Sequence, residues 1–185
     1  GISVSFLLMR FNILNELVSP LAIALNAVPI IVLVAVFQNM FASTSEIPRR
    51  LMVMLIVFFI VLVNVAKGLR QVHATHLELM RSYAASPLAV LTKTRIPNAL
   101  PYLFTALKIA APTAVITAFV SEYFGGRQNG LGYFTPSNFA NSKNAVAWAY
   151  VIGACLLGLT FYLISVVLES IIKQRRGAAP GGETT

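Results

Sequence analysis

Three ionisable residues lie within or at the edges of long apolar stretches: Lys108, Glu122 and Glu169. Ionisable groups inside a membrane are costly and are functional candidates by default. Lys108 follows Pro101 by about two helical turns, and it either snorkels to the interface or faces a transport pathway. Glu122 either lines such a pathway or holds the glycine-rich segment that follows it. For Glu169, an ion pair with Lys173 four residues later is the simpler interpretation.

The remaining reactive side chains indicate neither an enzyme active site nor a metal centre. Cys155 lies in an apolar run, whereas His73 and His76 lie in a polar segment, so they do not form a nucleophile–base pair. The chain has no aspartate, and no spacing typical of zinc, haem or iron–sulfur ligands occurs. It also lacks the Gly-x-x-x-x-Gly-Lys-Ser/Thr loop that holds nucleotide phosphates. We therefore expect no enzyme, and no cofactor bound by this chain.

The composition is typical of a membrane protein. Hydrophobic residues make up 57% of the chain and charged residues 11%, and the mean hydropathy is +0.78. A soluble domain usually carries about 25% charged residues. The formal net charge of +8 is not arranged as the aromatic-interleaved basic face that single-strand binders show. Membrane lipid, and not nucleic acid, is the partner that this charge predicts.

Four stretches approach the length of about 20 apolar residues that crosses a bilayer: 20–41, 51–66, 101–123 and 146–172. Residues 1–10 are interpreted as the end of a further helix, so we expect the sequence to be a fragment with N-terminal spans missing. Four such stretches in succession argue against buried helices of a soluble protein. The predicted fold class is therefore all-α: a polytopic transmembrane bundle over residues 1–176 with a disordered tail at 177–185.

A polar segment, residues 67–100, interrupts these spans and is predicted to contain two short helices. Leu77, Met80 and Tyr83 share one face at spacings of three, which predicts a first helix from about 72 to 83.

The second short helix is predicted to begin at Ser86, the N-cap, and Pro87, the first helical residue. It should end at Arg95-Ile96-Pro97, because the residue before a proline resists helical geometry. Such a bent pair either presents a compact knob to another protein or rests as an amphipathic linker on lipid headgroups.

Lysine and arginine positions predict the orientation of the spans. Placing the 67–100 loop and the C-terminus in the cytoplasm puts nine basic residues inside and four outside. The inside set is Arg10, Lys67, Arg70, Arg81, Lys93, Arg95, Lys173, Arg175 and Arg176. The outside set is Arg49, Arg50, Arg127 and Lys143, of which the Arg49-Arg50 pair is a local exception to the rule.

The polar loop resembles the cytoplasmic "EAA" loop of ABC-importer permeases. That pattern is Glu-Ala-Ala, three residues, Gly, a dozen or so residues, and then two prolines four apart. Here Glu78, Pro97 and Pro101 match, whereas Leu79-Met80 replaces Ala-Ala and Ala84 replaces Gly. Alanine lacks the freedom of glycine at positive φ, so we expect a tighter bend or a specialised partner.

A second resemblance lies downstream. Residues 121–126 and 129–133 are similar to the Glu…Gly…Gly-Leu-Gly segment of the nitrate/sulfonate/taurine branch of these permeases.

The resemblance implies an inner-membrane subunit of a bacterial, ATP-driven importer. Its partners would be a cytoplasmic ABC ATPase subunit that uses ATP and Mg, an extracytoplasmic substrate-binding protein, and a second permease copy or paralogue. The implied substrate is a small polar or anionic solute, such as a sulfonate, nitrate or a thiamine or pyrimidine precursor. The residues expected to couple to the ATPase are Glu78, Arg81, Ala84, Ser86, Pro87, Leu88, Leu91, Pro97 and Pro101.

Polar residues in the spans are candidates for the substrate pathway together with Lys108 and Glu122. Asn26, Gln38, Asn64 and Thr117 either hydrogen-bond between helices or touch the substrate. An ATP-independent carrier or a channel subunit is the alternative function. Such a protein would be expected to show more buried charge, inverted repeats or broken half-helices.

Overall fold

The computed structural model of the chain describes residues 29–41, 45–125 and 129–177. The described part is helical throughout and contains no strand. Its elements, in chain order, are α1 (Ile30–Met40), α2 (Ile47–Arg70), α3 (Ala74–Ser82), α4 (Pro87–Val90), a π-helical turn (Leu91–Arg95), α5 (Ile96–Tyr123), α6 (Leu131–Ala140) and α7 (Asn144–Gly177). The predicted all-α bundle is therefore confirmed.

Three described helical stretches are long and apolar enough to cross a membrane: Ile47–Arg70, Pro87–Tyr123 and Asn144–Gln174. They contain the predicted spans 51–66, 101–123 and 146–172. The first predicted span, 20–41, is described only as the shorter apolar helix α1. The predicted partial helix at 1–10 lies outside the described residues, as does the predicted tail at 177–185 except for Gly177, which ends α7.

The helices α2 and α5 form the centre of the bundle. Met52, Leu62 and Leu69 of α2 are buried, as are Ala106 and Ala110 of α5. Small side chains on α5 allow the two backbones to approach closely, as is usual between membrane helices. Most of α7, in contrast, exposes large apolar side chains, which suits a surface that faces lipid.

Two predicted boundaries of the polar loop were wrong. The helix α2 continues to Arg70, beyond Ala66, because Gly68 and Leu69 are buried against the rest of the bundle. The second short helix does not end at Arg95-Ile96-Pro97. The chain stays helical from Pro87 to Tyr123 through the π-helical turn.

The π-helical turn explains how the helix passes Pro97. A proline ring clashes with the carbonyl four residues earlier and supplies no N–H. In the turn before it, the Ile96 N–H instead donates to the Leu91 carbonyl, five residues back. Wider turns of this kind are a recognised source of irregularity in α-helices.

Because α2 extends to Arg70 and α5 begins at Ile96, the projecting loop, defined here as residues 71–95, is shorter than the predicted segment 67–100.

The helix α6 was not predicted. This ten-residue helix begins at Leu131, directly after Gly130. Stacking of Phe134 on Tyr150 and an edge contact of Phe139 with Trp148 hold α6 against the start of α7. Trp148 nevertheless remains 59% exposed, whereas Tyr150 is half-buried.

Candidate functional site

The projecting loop begins with α3, which ends in a left-handed residue. Ala84 has φ +48°, and its N–H donates to the Arg81 carbonyl, while the Ala85 N–H donates to the Met80 carbonyl. This pair of bonds is the Schellman arrangement, in which glycine is the usual left-handed residue. The position that resembles a family glycine is therefore one where glycine's conformation is required, and alanine adopts it here.

The start of α4 agrees with the prediction. The Ser86 hydroxyl accepts a hydrogen bond from the Ala89 N–H at 3.3 Å, and Pro87 occupies the first turn. Only four residues, 83–86, separate α3 from α4, and the left-handed Ala84 is one of them. The predicted bent pair of short helices around Ala84-Ala85 is thus present.

Apolar side chains of the projecting loop face outward. Leu79 is 51% exposed, Tyr83 74% and Leu88 68%. Glu78 and Arg81 are also exposed, whereas Leu91 is half-buried. Exposed apolar groups interleaved with charges are typical of a protein docking surface or of a helix that rests on lipid headgroups.

The base of the projecting loop is fixed to the bundle by three contacts. Asn98 donates through Nδ2 to the carbonyls of Gly68 (2.8 Å) and Gln71 (2.9 Å) and so caps the end of α2. The Tyr102 hydroxyl is 2.6 Å from Gln71 Oε1. A Cβ at Gly68 would lie 2.7 Å from the Tyr102 ring, so only glycine allows this approach. These contacts join the ends of α2 and α5 nearest the loop.

Pro97 and Pro101 lie in the first turns of α5 on either side of Asn98. Pro101 is inside the helix, and the Thr105 hydroxyl donates to its carbonyl at 3.0 Å. The two prolines thus shape the helix that leaves the loop and do not end the loop itself.

Lys108 forms an ion pair between helices. Its Nζ lies 2.7 Å from Glu169 Oε2, and Lys173 Nζ lies 2.9 Å from the other carboxylate oxygen. The predicted pair of Glu169 with Lys173 is confirmed, but the partner of Lys108 was not foreseen. Lys108 and Glu169 are 61 residues apart, and a single sequence has no signal for such a pairing. The arrangement joins α5 to α7.

Glu122 holds the glycine-rich segment, which was one of its two predicted roles. Its Oε2 accepts from the Gly132 N–H at 3.0 Å, and its Oε1 accepts from Arg49 Nη1 at 2.6 Å. The carboxylate thereby connects α2, α5 and α6 at the end of the bundle opposite the projecting loop. Arg49 and Arg50 both also reach Glu46, at 3.6 and 2.6 Å. Arg49 and Arg50, which are the exception to the predicted distribution of basic residues, are therefore both paired with carboxylates.

Glycine is needed on both sides of this carboxylate. Gly130 has φ +111°, and a Cβ there would collide with the Glu122 carboxylate. A Cβ at Gly132 would collide with the Phe119 carbonyl and would lie 2.7 Å from the Glu122 Cβ. The two glycines of the Gly-Leu-Gly segment thus allow the backbone at the start of α6 to contact the end of α5.

A cavity of about 470 Å³ opens beside Glu122 between α2, α5, α6 and α7. A second apolar groove of about 300 Å³ follows α5 and α7 past Cys155. The first cavity shares Val115, Phe119 and Ala154 with the groove. The size of the first cavity is within the range of about 300–1,000 Å³ that small-molecule sites occupy.

The other predicted pathway residues are distributed differently. Asn26 lies outside the described residues. Asn64 donates to the Ile60 carbonyl and Thr117 to the Thr113 carbonyl, each in its own helix, and Thr117 is fully buried. Of the predicted interhelical bonds, only that of Gln38 is present among the described residues, with the Ser121 carbonyl at 3.1 Å.

Sequence reasoning missed Arg49, Asn98 and Tyr102 as site residues. Asn98 and Tyr102 flank Pro101 in the motif-bearing segment, so their position was a usable signal. Arg49 was noted only as a topological exception. An arginine at the start of a membrane span is expected to pair with a carboxylate. Because the chain contains few carboxylates, one of them could have been expected as the partner of Arg49.

Comparison with known proteins agrees with this architecture. Residues 1–177 match the model of a family described as "binding-protein-dependent transport system inner membrane component". A formylaminopyrimidine transport permease protein, ThiX, of Halalkalibacterium halodurans is 30% identical over 172 residues, which cover 93% of this chain and 68% of that protein.

Two further relatives match a smaller part of the chain. A probable ABC transporter permease protein of Haemophilus influenzae is 32% identical over 70% of this chain and 53% of its own length. The bicarbonate transport system permease protein CmpB of Synechococcus elongatus is 31% identical over 72% of this chain and 48% of its own length. The chain thus spans about half to two thirds of the curated relatives it matches.

Proposed function

Since the chain belongs to the family of binding-protein-dependent transport system inner membrane components, we propose that it forms a translocation pathway for a small solute and that its projecting loop docks on a cytoplasmic ABC ATPase. The chain is a polytopic membrane protein with three described membrane-length helices. ATP and Mg would be used by the ATPase partner.

One observation carries the docking proposal: the projecting loop is exposed and apolar at its tip but fixed at its base. Leu79, Tyr83 and Leu88 offer the apolar contact area, and Glu78 and Arg81 the charges around it. A mobile linker on lipid would not need a base fixed by side-chain capping. A loop that transmits force from a partner would need it, because motion must reach α2 and α5 without being absorbed.

The remaining partners follow from the family. We propose an extracytoplasmic binding protein at the Glu122 end and a second permease copy or paralogue beside α7, whose apolar face is exposed in the single chain. The loop and the C-terminus would lie in the cytoplasm, as the positions of lysine and arginine favour. The relatives are named for formylaminopyrimidine and for bicarbonate, so the family name alone leaves the solute open.

Co-purification with the ATPase tests the docking. We expect Leu88→Asp and Glu78→Arg each to reduce the amount of ATPase retained by the detergent-solubilised permease by about tenfold, which corresponds to about 1.4 kcal/mol. Lys143→Glu is the matched control, because Lys143 is an exposed charge at the opposite end of the bundle. That variant should retain the ATPase as the unmodified chain does.

A wild-type permease that never retains an ATPase subunit would favour the alternative, an ATP-independent carrier or channel. Retention that Leu88→Asp and Lys143→Glu reduce equally would show that the ATPase binds elsewhere.

A further inference from the structure

The Glu122 side chain lies between two spaces of very different size. On one side is the cavity of about 470 Å³, which Val53 of α2 also lines. On the other side is a crevice of about 10 Å³, which Gln38, Glu46 and Arg49 border. A space of that volume barely holds one water molecule. In the part of the chain that the structure describes, the ion pair of Arg49 with Glu122 therefore leaves no room for a solute to pass beside it at the end opposite the projecting loop.

The helices α2 and α5 are held together differently at their two ends. Near the projecting loop, Val65, Leu69 and Ala99 form a buried apolar cluster between them. At the opposite end the cavity lies beside α5, and an ion pair, Arg49 Nη1 to Glu122 Oε1 at 2.6 Å, joins α2 to it. Separating a packed apolar cluster exposes its whole area to water or lipid, whereas an ion pair breaks without leaving a cavity. A rearrangement between the two helices is therefore expected at the Glu122 end.

Each member of this ion pair has a second partner that would remain after separation. Arg49 Nη2 lies 3.6 Å from Glu46 Oε1, three residues earlier in the chain. Glu122 Oε2 accepts a hydrogen bond from the Gly132 N–H of α6 at 3.0 Å. The Arg49 and Glu122 side chains are 27% and 14% exposed, so water reaches both. Breaking a buried pair is costly mainly because it leaves a charge without a partner, and here neither charge would be left so.

We propose that Arg49 and Glu122 form a gate, which closes the cavity toward the end opposite the projecting loop and opens when their ion pair separates. In the open state α2 carries Arg49 and Glu46 away from α5 and α6, which stay joined through Glu122 and Gly132. Arg49 is thus a positioning residue that stabilises the closed conformation and needs no contact with the solute. The proposal rests on the transport function proposed above.

Cysteine labelling tests the gate without any solute. Cys155, the single cysteine of the sequence, is replaced by alanine, and Ala118→Cys then places a thiol in the cavity. The full-length permease with its ATPase would be labelled in spheroplasts and in inside-out vesicles. Two methanethiosulfonate reagents are used, one cationic and one anionic, since neither crosses a membrane. Lys143→Cys, exposed at the Glu122 end, identifies the preparation in which that end faces the reagent.

In that preparation, Arg49→Met should raise the labelling rate of Ala118→Cys roughly tenfold, because the rate follows the fraction of molecules with an open gate. Both reagents should react faster, since the loss of a positive charge alone would favour only the cationic one. Arg49→Lys keeps the charge and should label at nearly the unmodified rate. Arg50→Met is the matched control, because Arg50 is 74% exposed and pairs with Glu46; it should leave the rate unchanged.

Three results would overturn the proposal: an unchanged rate in Arg49→Met, acceleration of the cationic reagent alone, or equal acceleration in Arg50→Met. A general loosening of the bundle is recognised at Ala147→Cys, four residues from Lys143, because Ala147 is fully buried. If Arg49→Met made this thiol reactive as well, the gate would also be refuted.

Failure of the proposed function gives different results. Labelling of Lys143→Cys in inside-out vesicles alone would contradict the proposed orientation, and the absence of a retained ATPase would contradict the docking. The labelling rates of Ala118→Cys decide the gate in either case.

Discussion

Replacing Ala84 by glycine should stabilise the projecting loop. Ala84 has φ +48° at the residue after α3. An L-residue in the left-handed region costs roughly 1–2 kcal/mol relative to its usual conformations. Glycine removes this cost but adds about 0.4–1 kcal/mol of backbone entropy to the unfolded chain. The net gain is therefore about 0.5–1 kcal/mol in favour of Ala84→Gly.

Hydrogen exchange measures this gain at the bonds that depend on it. The Ala85 N–H donates to the Met80 carbonyl in the Schellman arrangement, and its protection reports local opening of the loop. A gain of about 0.5–1 kcal/mol should raise its protection factor roughly two- to fivefold, after correction for intrinsic exchange rates. Mass-spectrometric exchange on a peptide that spans the end of α3 and the start of α4 is sufficient for the measurement.

The control is Ala85→Gly, which adds the same flexibility at a residue whose φ is not positive. It should lower protection, because it adds unfolded-state entropy without relieving strain. If Ala84→Gly lowers protection as Ala85→Gly does, the left-handed conformation is not a source of strain and the reasoning is wrong.

Two further substitutions test the contacts that hold the bundle. Gly68→Ala should lower the Tm of the permease in detergent, by the equivalent of roughly 1–3 kcal/mol, because the added Cβ would lie 2.7 Å from the Tyr102 ring. The control Gly153→Ala should change the Tm little, because the nearest atom to its Cβ would be 3.9 Å away. Equal losses of Tm for the two variants would contradict the packing argument. Lys108→Met should lower the Tm more than Lys173→Met, because the Lys108 side chain is 27% exposed and that of Lys173 is 65% exposed. A larger loss of Tm for Lys173→Met would show that the ion pair between α5 and α7 contributes little to stability.

The sequence predicted those features that depend on local chemistry. The Ser86–Pro87 helix start, the bend after α3 and the Glu169–Lys173 pair each involve residues within a few positions of one another, and all three are present. Apolar length likewise predicted the membrane helices, because the bilayer imposes it on each helix separately.

Features that depend on distant residues were missed. The ion-pair partners of Lys108 and Glu122 lie 61 and 73 residues away, and no periodicity in one sequence connects such positions. The helix break expected at Pro97 failed for a different reason. A rule about single proline residues took no account of the π-helical turn, which leaves room for the ring while the helix continues.

The unbroken helical path from Pro87 to Tyr123 has a mechanical consequence. Its 37 residues extend over about 55 Å, at 1.5 Å per residue. If a partner moves the projecting loop, the contacts of Asn98 and Tyr102 with the end of α2 would act as the fulcrum of this helix. A tilt of about 5° at this fulcrum would carry Glu122, which is 24 residues from Asn98 and so about 36 Å away, through about 3 Å. Small rotations imposed on the short arm would thus be amplified at the far end, where the cavity lies.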